Sequence, residues 1–177
     1  FGGQGIMLLG KLVAFTGMRN NKKVVWMPSY GSEMRGGTAN CSVIISDSVI
    51  ETPVFNKSDN TIVMNKPSFI KFEDRVKEDG NLLYNSSLIN LKPKRDDINV
   101  FDIPANEIAE SLGFTKVANM IMLGAFCEVT KLFEIDEISK NIDEVLSNKY
   151  DDMLEVNKKA LFKGREHVAK CLSRKDD

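Results

Sequence analysis

Residues 1–5 read FGGQG, and residues 30–41 read YGSEMRGGTANC. The first stretch opens the chain where a strand would end. The second follows a short apolar β run at 23–27 (KVVWM) that Pro28 is expected to stop. In an open α/β sheet such turns lie together at the carboxyl edge of the strands, where ligands and partners dock. The second stretch places Glu33, Arg35, Gly36, Gly37, Thr38 and Asn40 close behind Ser29 and Tyr30. An acid, a base, two flexible hinges and an amide together exceed what a turn alone requires.

Outward from these turns, strand and helix patterns alternate. Ile6, Leu8, Leu9, Leu12, Val13 and Gly17 form a helical apolar stripe. Residues 39–46 (ANCSVIIS) read as a strand, with 49–51 returning beside it as an antiparallel hairpin. Residues 61–65 (TIVMN) form a buried-strand pattern. Pro67 starts a helix expected to reach about Val76. Asp79–Gly80 then turns the chain into a strand at 81–85 (NLLYN), and 99–103 (NVFDI) is the next. Residues 105–112 form an amphipathic helix with Gly113 at its C-cap. Residues 118–129 are apolar almost all round and predict a buried helix, with Met120 and Met122 in the core. Two further helices follow at 136–146 and 151–172, and Leu154, Leu161 and Val168 form a docking stripe on the last. The fold class is α/β: a mostly parallel sheet with helices on both faces, an antiparallel hairpin excursion and a helical C-terminal part.

Composition narrows the function. The 177 residues are expected to form a single domain, 1–177, whose N-terminal strand is missing because the chain opens directly on the glycine turn. With 24 basic and 25 acidic residues the net charge is −1, which gives no footprint for nucleic acid. No apolar run reaches the length of a membrane span. Cys41, Cys127 and Cys171 are scattered, and His167 is the sole histidine. That pattern suits free thiols in a cytoplasmic setting and cannot supply the four thiolates of an iron–sulfur cluster. It disfavours a zinc site too.

Several motifs have a plain structural alternative. FGGQG lacks the third glycine of the dinucleotide fingerprint, since Leu8 stands there, and the second strand ends at Pro28–Ser29 without a ribose-binding acid. NAD is therefore disfavoured. Gly3, Gln4 and Gly5 form a tight strand-to-helix turn, which is either structural alone or also touches a ligand or partner. Asp79–Gly80–Asn81 superficially matches a metal–diphosphate motif of thiamine enzymes, but Glu78 replaces the leading glycine. Glu33 and Arg35 form either a solvated surface pair or a pair at a subunit contact or ligand mouth. Trp26, Met27, Tyr30 and Met34 place apolar surface around them, which favours the second reading. Asn65, Ser86 and Ser87 follow two further strands and join the same polar rim, although capping explains each alone. Lys163, Arg165, Lys170, Arg174 and Lys175 read as a solvated helix face. No nucleophile–base pair accompanies any of these residues.

FGGQGI, WMPSYGSEMRGGTANCSVIIS, NSSLI and TKVANMIMLGAF together resemble the gamma subunit of 2-oxoacid:ferredoxin oxidoreductases over essentially the whole chain. The wording is most similar to the 2-oxoglutarate branch. The branched-chain (2-oxoisovalerate) branch comes next, and the pyruvate and indolepyruvate branches are more distant. The resemblance implies an oxidoreductase subunit in the oxidative decarboxylation of a 2-oxoacid with coenzyme A as co-substrate. The products would be acyl-coenzyme A (succinyl-coenzyme A for 2-oxoglutarate), carbon dioxide and reduced ferredoxin. It implies that this chain alone binds no cofactor and is inactive in isolation. Thiamine diphosphate, Mg2+ and 4Fe–4S clusters would sit on companion alpha, beta and delta subunits, with ferredoxin as acceptor. It assigns no catalytic residue here. The edge candidates remain Gly3, Gln4, Gly5, Ser29, Tyr30, Glu33, Arg35, Gly36, Gly37, Thr38, Asn40, Asn65, Ser86 and Ser87. Arg35 would suit a carboxylate or a coenzyme A phosphate, which a planar guanidinium grips in two places. The competing classes are a non-catalytic scaffold and a nucleotide-binding dehydrogenase domain, the latter opposed by the missing ribose acid.

Overall fold

The computed structural model describes residues 1–31, 37–146 and 151–174. Its element order is α1 (Ile6–Arg19), β1 (Lys23–Tyr30), β2 (Ala39–Ser46), β3 (Ser58–Val63), α2 (Lys66–Phe72), β4 (Val76–Asn85), β5 (Asn99–Ile103), α3 (Ala105–Ser111), α4 (Ala118–Thr130), α5 (Ile135–Leu146) and α6 (Asp151–Ser173). Strands β3, β4 and β5 form a parallel sheet in that order, while β1 and β2 form a separate antiparallel pair.

The parallel sheet carries helices on both faces, as its side-chain alternation requires. Leu82 and Tyr84 of β4 face α2, where Phe69 is fully buried and meets the Tyr84 ring edge-on at 5.3 Å between centroids. The intervening Leu83 faces the opposite way, into the larger core with Ile62, Phe101 and α4. α4 is buried from Ala118 through Cys127, matching its all-round apolar sequence. α6 lies directly on it. A Cβ on Gly124 would stand 1.8 Å from the Leu161 carbonyl oxygen, and one on Gly164 would stand 1.9 Å from that of Ile121. These two glycines let the helix backbones touch. Leu161 and Val168 of the expected stripe are buried in this contact, and Leu154 packs on its margin.

Four sequence expectations need correction. Residues 49–51 form no strand; the antiparallel partner of β2 is β1, in register from Lys23↔Ser46 to Tyr30↔Ala39. Pro28 does not stop β1, because it sits opposite Cys41, where its missing N–H faces away from β2. The helix begun at Pro67 ends at Phe72, and a short 3-10 turn at Glu73–Arg75 delivers Val76 into β4. Asp79–Gly80 lies within β4 as an irregularity where the register with β3 shifts. Asp79 takes φ +59 there, and a Cβ on Gly80 would stand 2.9 Å from the carbonyl oxygens of Asp59 and Lys77. Among the described residues, no helix is long and apolar enough to cross a membrane.

Candidate functional site

The glycine turn sits at the carboxyl edge of the parallel sheet. Gly3 and Gly5 adopt φ +94 and +73, conformations that a side chain resists. From Gly5 the chain enters α1 directly, with Leu9 N–H donating to the Gly5 carbonyl at 3.0 Å. Gln4 ties the turn to β3: its Nε2 donates to the Met64 carbonyl at 3.1 Å, and its Oε1 accepts from Asn65 Nδ2 at 2.7 Å. Asn65 also caps α2, accepting from Ser68 N–H at 2.9 Å. Its side chain thus joins two elements. Gly2 N–H donates to the Gly37 carbonyl at 3.0 Å, which links the turn to the start of β2.

The edge continues past β4 and β5. Ser86 N–H donates to the Ile103 carbonyl at 2.9 Å. Ser87 Oγ accepts from the N–H groups of Asn106 and Glu107 at 3.2 and 3.3 Å, at the start of α3. Asn85, fully buried, accepts from Ala105 N–H and donates to Asn106 Oδ1 at 2.7 Å. Sequence reasoning missed Asn85, Asn106 and Asn119. Asn119 opens the otherwise apolar α4 at 4% exposure, and its Nδ2 donates to the Gly5 carbonyl at 3.2 Å. A lone amide at the head of an apolar helix was the available signal, because a buried polar group needs a partner.

On the ribbon, Ser29 stands opposite Asn40, and Tyr30 closes β1 with 61% of its surface exposed. Gly31 N–H donates to the Thr38 carbonyl at 2.7 Å, extending the pair by one step. The structure therefore brings Gly3, Gln4, Gly5, Gly37 and Asn65 into one bonded group, with Ser86 and Ser87 farther along the same edge. Glu33, Arg35 and Gly36 lie outside the described residues, as does Met34. The described candidates carry no charged side chain.

Below this edge, Cys41 donates to the Ile6 carbonyl at 3.6 Å. Burial pushes its thiol pKa up, partly offset by hydrogen bonds from Trp26 and Gly10. Cys127 is in the core and Cys171 is on the surface of α6. With its thiols on three separate elements, the described chain does not fit an iron–sulfur cluster, and it offers no group of three or more His, Cys, Asp or Glu residues suited to a metal. Asp79–Gly80–Asn81 does not fit a metal–diphosphate either. Asn81 donates to Asn60 Oδ1, Asn99 donates to the Asp79 carbonyl, and the segment lies at the amino end of the sheet.

A family model described as pyruvate ferredoxin/flavodoxin oxidoreductase matches residues 1–167. The ketoisovalerate oxidoreductase subunit VorA of Methanothermobacter marburgensis is 32% identical over 174 residues, 97% of this chain. The chain spans only 36% of that subunit's length. The 2-oxoglutarate synthase subunit KorC of Methanocaldococcus jannaschii is 34% identical over 145 residues, covering 80% of this chain and 78% of the relative. Among solved structures, the keto/oxoacid ferredoxin oxidoreductase gamma subunit of Geobacter sulfurreducens superimposes with a TM-score of 0.78 at 30% identity. That superposition covers 96% of this chain and 94% of the other. Sequence and backbone agree almost end to end, so the chain belongs to the pyruvate ferredoxin/flavodoxin oxidoreductase family, among the relatives of its gamma subunits.

Proposed function

We propose that this chain serves as the gamma subunit of a cytoplasmic 2-oxoacid:ferredoxin oxidoreductase acting on 2-oxoglutarate. The supporting observation is the two-way match to a 2-oxoglutarate synthase subunit over most of both lengths, alongside the gamma-subunit fold. The complex would convert a 2-oxoacid, coenzyme A and two oxidised ferredoxins into acyl-coenzyme A, carbon dioxide, two reduced ferredoxins and a proton. Thiamine diphosphate on a companion subunit supplies the carbanion-stabilising centre. The present chain would contribute the carboxyl edge built on Gln4, Asn65 and the glycine turn, with Arg35 gripping a partner carboxylate or a coenzyme A phosphate.

A branched-chain 2-oxoacid is the second reading, because the ketoisovalerate subunit matches 97% of this chain. The test is coenzyme A-dependent reduction of viologen dye by the purified complex, supplied separately with 2-oxoglutarate, 2-oxoisovalerate and pyruvate. A kcat/KM at least tenfold higher for 2-oxoglutarate supports the first reading. A preference for 2-oxoisovalerate transfers the assignment to the second, and no turnover with any 2-oxoacid refutes both.

A further inference from the structure

His167 and Cys171 stand about one turn apart on α6 and share a face, because residues four apart on a helix are neighbours. Cys171 is exposed and His167 half-buried, and the Cys171 Sγ lies 3.8 Å from His167 Nε2. Neither side chain has another hydrogen bond or ion pair among the described residues. The other thiols have no such neighbour. His167 is the sole histidine, Cys127 is in the core, and Cys41 is turned to the Ile6 carbonyl. Thiolate and imidazole are both metal ligands, and two ligands at this spacing on one helix can close on a single ion.

Their separation suits that role. With metal–sulfur and metal–nitrogen bonds of about 2.3 and 2.0 Å, tetrahedral donors lie roughly 3.5 Å apart. Closing to that distance from 3.8 Å asks for only a small rotation of either side chain. The surroundings favour a cation. α6 ends at Ser173, so the free carbonyls of its last turn place the negative end of the helix dipole beside Cys171. The two flanking ammonium groups are held by a shared carboxylate: Glu166 accepts from Lys163 Nζ at 2.9 Å and from Lys170 Nζ at 2.7 Å.

We propose that His167 and Cys171 form a two-ligand site for a borderline-soft divalent metal ion of the zinc class. Thiolate and imidazole select that class over magnesium and calcium, which take oxygen ligands. On binding, the thiol S–H bond breaks and its proton passes to solvent. The sulfur and the unprotonated Nε2 then each form a bond to the ion, and no electron is transferred. Two protein donors are half of a closed tetrahedral set, so water fills the other positions and the ion exchanges freely instead of holding the fold together. The inference stands apart from the proposed reaction.

The test is titration of the full chain, stripped of metal and kept reduced by a phosphine, with Co2+ as the probe. Co2+ should bind stoichiometrically and give a thiolate-to-cobalt charge-transfer band, which Zn2+ then removes by displacement. Cys171→Ser should abolish the band. His167→Gln should keep the thiolate but weaken binding by at least the roughly 10–100-fold that loss of a supporting partner costs a metal site. In the unsubstituted chain, saturating Zn2+ should slow iodoacetamide labelling of Cys171, a readout that needs no variant. Binding as tight in His167→Gln as in the parent would show a lone thiol collecting ions and overturn the proposal. A band that survives Cys171→Ser, or labelling that Zn2+ leaves unchanged, also overturns it. None of these outcomes bears on the dye-reduction assay, so the two proposals fail separately.

Discussion

Gly5→Ala tests whether the glycine turn is held by the buried amide beneath it. Gly5 sits at φ +73 and ψ +18, where an L-residue costs about 1–2 kcal/mol. A Cβ there would stand 2.3 Å from Asn119 Nδ2 and 2.7 Å from its Cγ. Asn119 is only 4% exposed, so overpacking adds about 1–3 kcal/mol. The displaced Asn119 also loses its bond to the Gly5 carbonyl, worth about 1 kcal/mol. A total loss of roughly 3–6 kcal/mol follows. Asn119→Ala alone should cost about 1–2 kcal/mol through that bond and a small void. In its background Gly5→Ala meets little beyond the backbone term, so the two losses should fall short of additivity by about 2–4 kcal/mol. Equilibrium urea unfolding, followed by the fluorescence of the single tryptophan, Trp26, measures all four corners of the cycle. Additivity within about 0.5 kcal/mol would refute the contact.

Gly124→Ala should destabilise the fold although alanine favours helix by about 1 kcal/mol. Its Cβ would land 1.8 Å from a backbone carbonyl of α6, and a loss near 3 kcal/mol predicts a melting midpoint lower by about 6–12 °C. Lys170 and Lys163 hold the Glu166 carboxyl at about 2, well below its ordinary value of 4.5. A depressed acid pKa stabilises the fold fully above the ordinary value and loses that effect as pH falls toward 2. NMR titration should find the Glu166 midpoint there, and Lys170→Ala should raise it. An unshifted midpoint in the parent would contradict the pairing. Burial pushes the Cys127 thiol up to about 12, so iodoacetamide at pH 8 should label exposed Cys171 first and Cys127 only after unfolding. Early labelling of Cys127 would place it outside the core.

Most elements were legible because each rested on a pattern with a single physical meaning. The apolar run of α4 could only be buried, and Gly113, at φ +81, closes the first helix after β5 as a C-cap should. The errors came where a local signal depended on a distant partner. Pro28 breaks a strand only if its N–H is needed, and here that side faces away from β2. Asp79–Gly80 carries turn chemistry, yet the strand continues through it because β3 and β5 pair with the residues that follow. Val49 and Ile50 suit a return strand by propensity, but β1 already occupies that side of β2.

The candidate edge was legible in placement more than in chemistry. Topology alone put the glycine turn, Asn65, Ser86 and Ser87 along one rim, whereas the binding partner of each amide was not predictable. Gln4 and Asn65 meet across 61 residues of sequence, and Gly5 and Asn119 across 114. No local window spans such distances. The resulting network has a mechanical consequence. Each amide at the turn carries two elements: Gln4 joins the turn to β3, Asn65 joins Gln4 to α2, and Asn119 joins α1 to α4. Such cross-bonded amides hold a glycine turn in one place at the cost of their own availability to a ligand. The polar groups of Gln4 and Asn65 are therefore better suited to setting the position of the edge than to grasping a substrate. Under the proposed function, recognition then falls to Tyr30, the exposed Thr38 and Arg35. Tyr30→Ala should accordingly weaken assembly with the companion subunits while leaving the urea midpoint unchanged, whereas Asn65→Ala should lower the midpoint first. Equal effects of both variants on stability would show that the edge does not divide its work in this way.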